Sequence, residues 1–191
     1  MNNSKNNFIK VFLNLKSIRM LFLGFSSGLP ILLVFSTLSV WLVKAEVSRS
    51  TITMFSWAAL AYSFKFIWSP IIDNFKLPFQ NFGHRRSWLL ISQLMIVFSL
   101  IFISFTDPSK TLVLTAIGSV LIAFSSASQD IVIDAYRIES APQKLQGVLS
   151  SLYIAGYRIA MLVAGAGSLL LASYLGVEVY DVEVWKIVYL T

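Results

Sequence analysis

The sequence predicts an all-α, polytopic membrane helix bundle, and three observations predict it. Hydrophobic residues make up 57% of the 191 positions and charged ones only 13%. A soluble domain carries about 25% charged residues, so this chain cannot clothe a water-facing surface, whereas lipid as solvent removes that need. The apolar residues are gathered into runs of about 20, the length that crosses a bilayer as a helix. The basic residues fall mainly in alternate intervals between those runs, as the positive-inside rule requires.

The first 19 residues, MNNSKNNFIKVFLNLKSIR, are polar and basic and read as a cytoplasmic terminus, with the bundle occupying 20–191. The first run extends from Met20 to Val43 and lacks a clear small-residue cleavage site, so it reads as a retained span. The second extends from Ile52 to Ile72 and contains Lys65. The third covers Trp88 to Phe105 and the fourth Thr111 to Ile133, with Gln129 and Asp130 near its end. The fifth covers Gly147 to Leu175 and contains Arg158. After an acidic interval with Glu178, Asp181 and Glu183, the stretch VWKIVYLT begins a sixth span. The expected fold is thus five full spans and the start of a sixth, with a second set of three beginning at Thr111, an arrangement compatible with 3+3 repeats.

On one side lie Lys5, Lys10, Lys16, Arg19, Lys76, Arg85, Arg86, Arg137 and Lys144; on the other only Lys44, Arg49, Lys110 and Lys186. This imbalance places the N-terminus inside. Trp41, Trp68, Trp88 and Trp185 fall near span ends, where interfacial anchors are expected. The net charge of +6 comes from residues spaced between apolar runs, without a nucleic-acid-reading motif. There is no cysteine, which excludes disulfides and thiolate chemistry. His84, the single histidine, sits in a basic interval where it can neither activate a span serine nor hold a metal alone. No enzyme, metal site or cofactor is expected.

Charges inside spans carry the functional information, because each costs about 2.5–3.5 kcal/mol at mid-bilayer on insertion scales and therefore faces a partner or a cavity. Lys65 lies about 12 Å from the cytoplasmic end of its run at 1.5 Å per residue, and Arg158 about 16 Å. Two deep cations suit an anionic ligand, the forked guanidinium of Arg158 especially so. Lys65 can instead snorkel along its stem or pair with Asp130. Asp130 and Asp134 share a helix face at four-residue spacing, and Arg137 follows at three. Asp134 with Arg137 reads as a cytoplasmic clamp, and the deeper Asp130 as a proton carrier.

The fifth run carries Gly156, Ala160, Ala164, Ser168, Ala172 and Gly176 at every fourth position, a stripe of small residues that admits a neighbouring helix closely. Arg158 falls about 200° from Gly156 around a helix, on the opposite face. The first run has Gly24 and Gly28 at the same spacing. Pro30 removes the hydrogen bond to the Ser26 carbonyl, so Ser26 and Ser27 sit at a bend that either exposes carbonyls to a ligand or only turns the helix.

The segment SPIIDNFKLPFQNFGHRR, from Ser69 to Arg86, resembles an expanded form of the loop between the second and third helices of major facilitator transporters, with Asp73 and the Arg85–Arg86 pair in the acidic and basic roles. GFSSGLPILL (Gly24 to Leu33), SASQDIVIDAYRIE (Ser126 to Glu139) and AGYRIAMLVAGAG (Ala155 to Gly167) resemble AmpG-type muropeptide permeases, and acetyl-CoA transporters share parts of the pattern. The resemblance covers nearly the whole chain after Arg19. It implies a fold of about twelve helices in two bundles around a central cavity, of which this chain supplies the N-terminal one, truncated in its sixth span. It further implies proton-driven import of GlcNAc–anhydromuramyl peptides across the bacterial inner membrane for cell-wall recycling. Under that reading Asp130 couples the proton. Lys65, Arg158, Gln129, Ser26 and Ser27 meet the substrate, and Asp73, Arg85, Arg86, Asp134 and Arg137 form the cytoplasmic gate. The partners are then the bilayer, muropeptide, protons and a second transporter half. The competing readings are transport of an acetyl-CoA-like or other anionic metabolite, and an inactive or structural membrane fragment.

Overall fold

The structure is a computed structural model that describes residue 12 and residues 14–77, 83–176 and 180–191. Lys5, Lys10 and Glu178 lie outside the described residues. All regular structure among the described residues is helical. Among the described residues, four helices are long and apolar enough to cross a membrane: α1 (Leu15–Lys44) and the helices His84–Ser104, Leu112–Ser140 and Gln143–Tyr174. At 1.5 Å per residue the shortest of them, with 21 residues, is about 32 Å long, the thickness of a hydrocarbon core.

The second apolar run does not form one helix. It is divided into α2 (Arg49–Phe55), a 3₁₀ turn at Ser56–Ala58, α3 (Ala59–Ser63), a second 3₁₀ turn at Lys65–Ile67, and α4 (Ser69–Asn74). Pro70 stands at the start of α4, where its missing N–H costs no hydrogen bond and its fixed φ favours a new first turn. The expected continuous span at Ile52–Ile72 is therefore a chain of short helical pieces. The remaining elements are α5 (His84–Ser104), α6 (Leu112–Ser140), α7 (Gln143–Tyr174) and the short α8 (Val182–Leu190). Gly176 ends α7 at φ 96°, a left-handed conformation that favours glycine.

The helix α6 is the hub. Just over half of its apolar window (56%) is buried, against 28–39% in the other three candidate spans. It packs on α1, on α5 and on the pieces of the broken run. The closest approach is between α1 and α7, and the small residues explain it. A Cβ on Gly24 would strike the Tyr153 backbone, one on Gly28 the Tyr157 backbone, and one on Gly156 the Leu21 carbonyl. Gly156, Ala160, Ala164, Ser168 and Ala172 are all buried, while Gly176 is exposed beyond the contact.

Both helices of that pair widen at the same level. A π turn occupies Leu33–Thr37 in α1 and another occupies Val163–Gly167 in α7. Side chains take up the carbonyls there. Thr37 donates to the Ala164 carbonyl at 2.9 Å and lies 2.8 Å from the Ser168 hydroxyl. Ser168 reaches the Gly165 carbonyl at 3.1 Å, and Tyr189 of α8 donates to the Leu33 carbonyl at 2.9 Å. The π turn also accounts for the length of the stripe. Residues four apart drift about 40° per step on a 3.6-residue helix, so Gly156 and Ala172 should differ by about 160°. One extra residue in a widened turn returns about 100° of that drift and keeps both on the buried face.

Two tryptophans differ from expectation. Trp41 and Trp185 are buried at 0% and 1% exposure and stack with ring centroids 5.8 Å apart, because α8 docks against the far end of α1. They are core residues, not interfacial anchors. Trp68 donates to Ser128 at 3.1 Å and Trp88 to the Phe75 carbonyl at 3.0 Å, so each ties a piece of the broken run to a long helix.

Candidate functional site

The polar residues of five elements converge beside the break in the second run. The 3₁₀ turn at Lys65–Ile67 brings the Lys65 ammonium to 3.9 Å from Asp130 Oδ2, of which only 13% of the side chain is exposed. The other carboxylate oxygen accepts from the Ser27 hydroxyl of α1. That hydroxyl also lies 3.0 Å from the phenol of Tyr153 on α7. The carboxylate is thus held from three sides: a hydroxyl from α1, a tyrosine behind it from α7, and a cation from the broken run.

One residue earlier on α6, Gln129 is fully buried and donates to the Ser26 hydroxyl at 2.6 Å. Gln93 of α5 reaches the same oxygen at 3.5 Å. The Gln129 carbonyl oxygen is buried with no hydrogen-bond partner among the described residues. An amide oxygen left so costs about 1–3 kcal/mol, which marks it as an acceptor awaiting a donor.

Of the roles open to Lys65, a ligand contact, snorkelling or a pair with Asp130, the structure shows the pair, and Ser26 and Ser27 lie in the same cluster. The serines act through their hydroxyls. Ser26 also donates to the Leu23 carbonyl at 3.3 Å, and α1 continues through Pro30. Arg158 is exposed, on the side of α7 away from the Gly156 contact, and its guanidinium lies 3.7 Å from the Met161 sulfur. It forms no ion pair with a carboxylate among the described residues. Tyr153 and Gln93 join the site without having been anticipated. A tyrosine four residues after Leu149 on a helix face toward α1 leaves no polar signature in a hydropathy profile.

A second cluster joins the helix ends on the side of the N-terminus. Arg85 forks between Asp73 at 2.5 Å and Glu139 at 2.8 and 3.0 Å, linking α4, α5 and α6. Asp134 pairs with Arg137 at 3.2 Å, and Arg137 donates to Ser150 of α7 at 3.0 Å. Gln146 donates to the carbonyls of Arg137, Ile138 and Ala141, which supplies partners for the last turn of α6. Asp73, Arg85, Asp134 and Arg137 thus lie in ion pairs at this end of the bundle. Arg86 is in none of these pairs and lines, with Arg85 and Arg19, a groove at the same end. Glu139 and Gln146 complete the arrangement.

At the opposite end, Asp107 accepts from the Tyr180 phenol at 2.6 Å and from Ser109 at 2.6 and 3.0 Å. Burial raises the Asp107 carboxyl, but these donors and nearby Lys110 outweigh it and hold the group below its usual range. The Tyr180 phenol is pushed up to about 12 by burial and by donating to Asp107.

A carboxylate, a cation, hydroxyls and a buried amide are thus gathered inside a bundle of helices long and apolar enough to cross a membrane. The chain belongs to the acetyl-coenzyme A transporter 1 family, whose model matches residues 17–132. It is 40% identical over 168 residues to the AmpG 4 transporter of Rickettsia felis, covering 87% of this chain and 41% of that protein. It is also 40% identical over 165 residues to the anhydromuropeptide permease of Escherichia coli (strain K12), covering 86% of this chain and 33% of that one. An AmpG 1 transporter of Rickettsia conorii is 37% identical over 166 residues. The chain spans about a third to two fifths of the length of the curated relatives it matches.

Proposed function

We propose that this chain forms the N-terminal bundle of a major facilitator permease that imports GlcNAc–anhydromuramyl peptides together with protons. In this reading it lies in the bacterial inner membrane with its N-terminus in the cytoplasm. The observation that carries the proposal is the Ser27–Asp130–Lys65 arrangement, found in a chain 40% identical to an anhydromuropeptide permease. Ionised Asp130 neutralises Lys65. A proton on Asp130 removes that charge and leaves the ammonium free for a carboxylate of the ligand. Proton and anion then bind together and leave together, which is the condition for symport. Gln129, through its unpartnered oxygen, offers an acceptor to a ligand N–H or O–H. Ser26, Ser27 and Arg158 contribute further polar contacts, Arg158 from the exposed side of α7. Asp73, Arg85, Asp134 and Arg137 form the cytoplasmic gate, with Arg86 outside their ion pairs, and a second transporter half completes the cavity.

The test is uptake of labelled anhydromuropeptide by cells lacking their own permease, with this chain expressed alone and with a candidate second half. Proton-dependent uptake in the completed transporter supports the proposal, and its absence with every second half refutes it. The family model favours a second reading, an acetyl-CoA-like anion on the same cluster. Competition by unlabelled acetyl-CoA, but not by muropeptide, would select it.

A further inference from the structure

The ends of α1 and α5 nearest the N-terminus enclose an open groove of about 520 Å³ that the polar cluster does not use. Its walls are Leu15, Ile18 and Phe22 from α1 and Leu89 from α5, with Arg19 and Arg86 among its lining. Leu15, Ile18 and Phe22 are 59%, 39% and 65% exposed, so an apolar strip lies open along the first two turns of α1. The acidic groups near this end are already engaged: Asp73 and Glu139 by Arg85, and Asp134 by Arg137. Lys16 donates to the Ser140 carbonyl. Arg19 and Arg86 are both exposed and form no ion pair with a carboxylate among the described residues.

We infer that this groove is a binding site for one anionic phospholipid, its phosphate between Arg19 and Arg86 and an acyl chain along Leu15, Ile18 and Phe22. The match is of charge and of depth. Arginine forks suit phosphate oxygens bidentately. Their aliphatic stems can lie along the apolar wall while the guanidinium stays at headgroup level. A free phosphate would satisfy the arginines and leave the apolar walls bare. A neutral lipid would cover the walls and leave two like charges in one groove without a counter-charge. Only an anionic amphiphile answers both. The inference requires membrane insertion and does not depend on what the protein transports.

The full chain, purified in detergent, is presented with dioleoylphosphatidylglycerol or dioleoylphosphatidylcholine, and retained lipid is read by native mass spectrometry. One phosphatidylglycerol should be retained in preference to phosphatidylcholine. The double substitution Arg19→Gln and Arg86→Gln should weaken that retention by about thirtyfold, since each basic residue near an anionic headgroup is worth about 1 kcal/mol. Arg19→Lys with Arg86→Lys should recover much of it, and Lys110→Gln at the opposite end should leave it unchanged. Equal retention of the two lipids would overturn the inference. So would full retention by the Gln pair, loss in the Lys pair as complete as in the Gln pair, or equal loss in Lys110→Gln. Displacement of the lipid by millimolar inorganic phosphate would reduce the groove to a simple anion site. Dimers without lipid would assign it to a second copy.

Discussion

Replacing Gly156 by alanine adds one methyl group where two backbones touch. The new Cβ would stand 2.9 Å from the Phe25 nitrogen and 3.0 Å from the Leu21 carbonyl carbon, and closer still to the carbonyl oxygen. All three are main-chain atoms, so no rotamer change relieves the clash, and α1 and α7 must move apart. Overpacking costs about 1–3 kcal/mol, and a purely backbone collision belongs at the upper end. Alanine in a helix regains up to about 1 kcal/mol over glycine, so the net loss should be about 2 kcal/mol. Gly147 provides the control, because nothing lies within 4 Å of its hypothetical Cβ. Gly147→Ala should be neutral or slightly stabilising. Unfolding of the detergent-solubilised chain, followed by the midpoint of a thermal or SDS titration, separates the two variants. Gly24 meets Tyr153 across the same contact. A double variant with Gly24→Ala should cost less than the sum, since the first methyl already opens the space for the second. If Gly156→Ala unfolds at the same midpoint as Gly147→Ala, the close packing of α1 on α7 is refuted.

Three other outcomes are expected. Asp130→Asn mimics the protonated carboxyl, so the completed transporter should keep ligand exchange and lose dependence on a proton gradient, whereas Asp134→Asn should keep both; equal loss in a paired uptake and counterflow assay would remove Asp130 from coupling. Arg85→Lys keeps the charge but cannot fork between Asp73 and Glu139, and should cost about 1 kcal/mol because both carboxylates are partly solvated, read as an unfolding midpoint. The Asp107 contact should depend on pH at both extremes. The carboxyl is held below its ordinary 3.8, so the stability it adds is present above that value and fades as pH falls through the lower folded value. The phenol is raised from 10.0 to about 12, so its share is complete below pH 10 and fades between 10 and about 12. Tyr180→Phe should remove the alkaline loss and move the acid loss to higher pH, as followed by unfolding across a pH series.

Four of the apolar runs became long helices at nearly the expected positions, because twenty apolar residues in lipid leave the backbone no partner but itself. The second run did not, and the reason is local. A hydropathy count cannot distinguish i→i+4 from i→i+3 turns, and the 3₁₀ segments at Ser56–Ala58 and Lys65–Ile67 have the apolar content of a span. Pro70 was the legible sign that the helix restarts. In the site, the pairing of Lys65 with Asp130 was legible only as an alternative to a ligand contact, because a deep charge needs some partner and hydropathy does not say which. Tyr153 was not, since a tyrosine on a helix is as often packing as chemistry. Likewise, the tryptophans at span ends carried no sign that Trp41 and Trp185 would stack inside the core. That depends on α8 folding back onto α1, a long-range contact that local pattern does not encode.

The two facing π turns have a consequence for how this protein can change length. Each holds one residue more than a plain helical turn, and the two surpluses are matched across a single contact through Thr37, Ala164 and Ser168. Because the extra residue of a widened turn adds almost no rotation, deleting it from one helix and closing the turn to a plain α turn leaves everything beyond it facing the partner as before, whereas a deletion elsewhere in either helix rotates the remainder by about 100°. The two turns therefore act as slack, one in each helix. Single-residue gaps among related chains should fall within Leu33–Thr37 or Val163–Gly167, in either one without the other, and not elsewhere along the two helices.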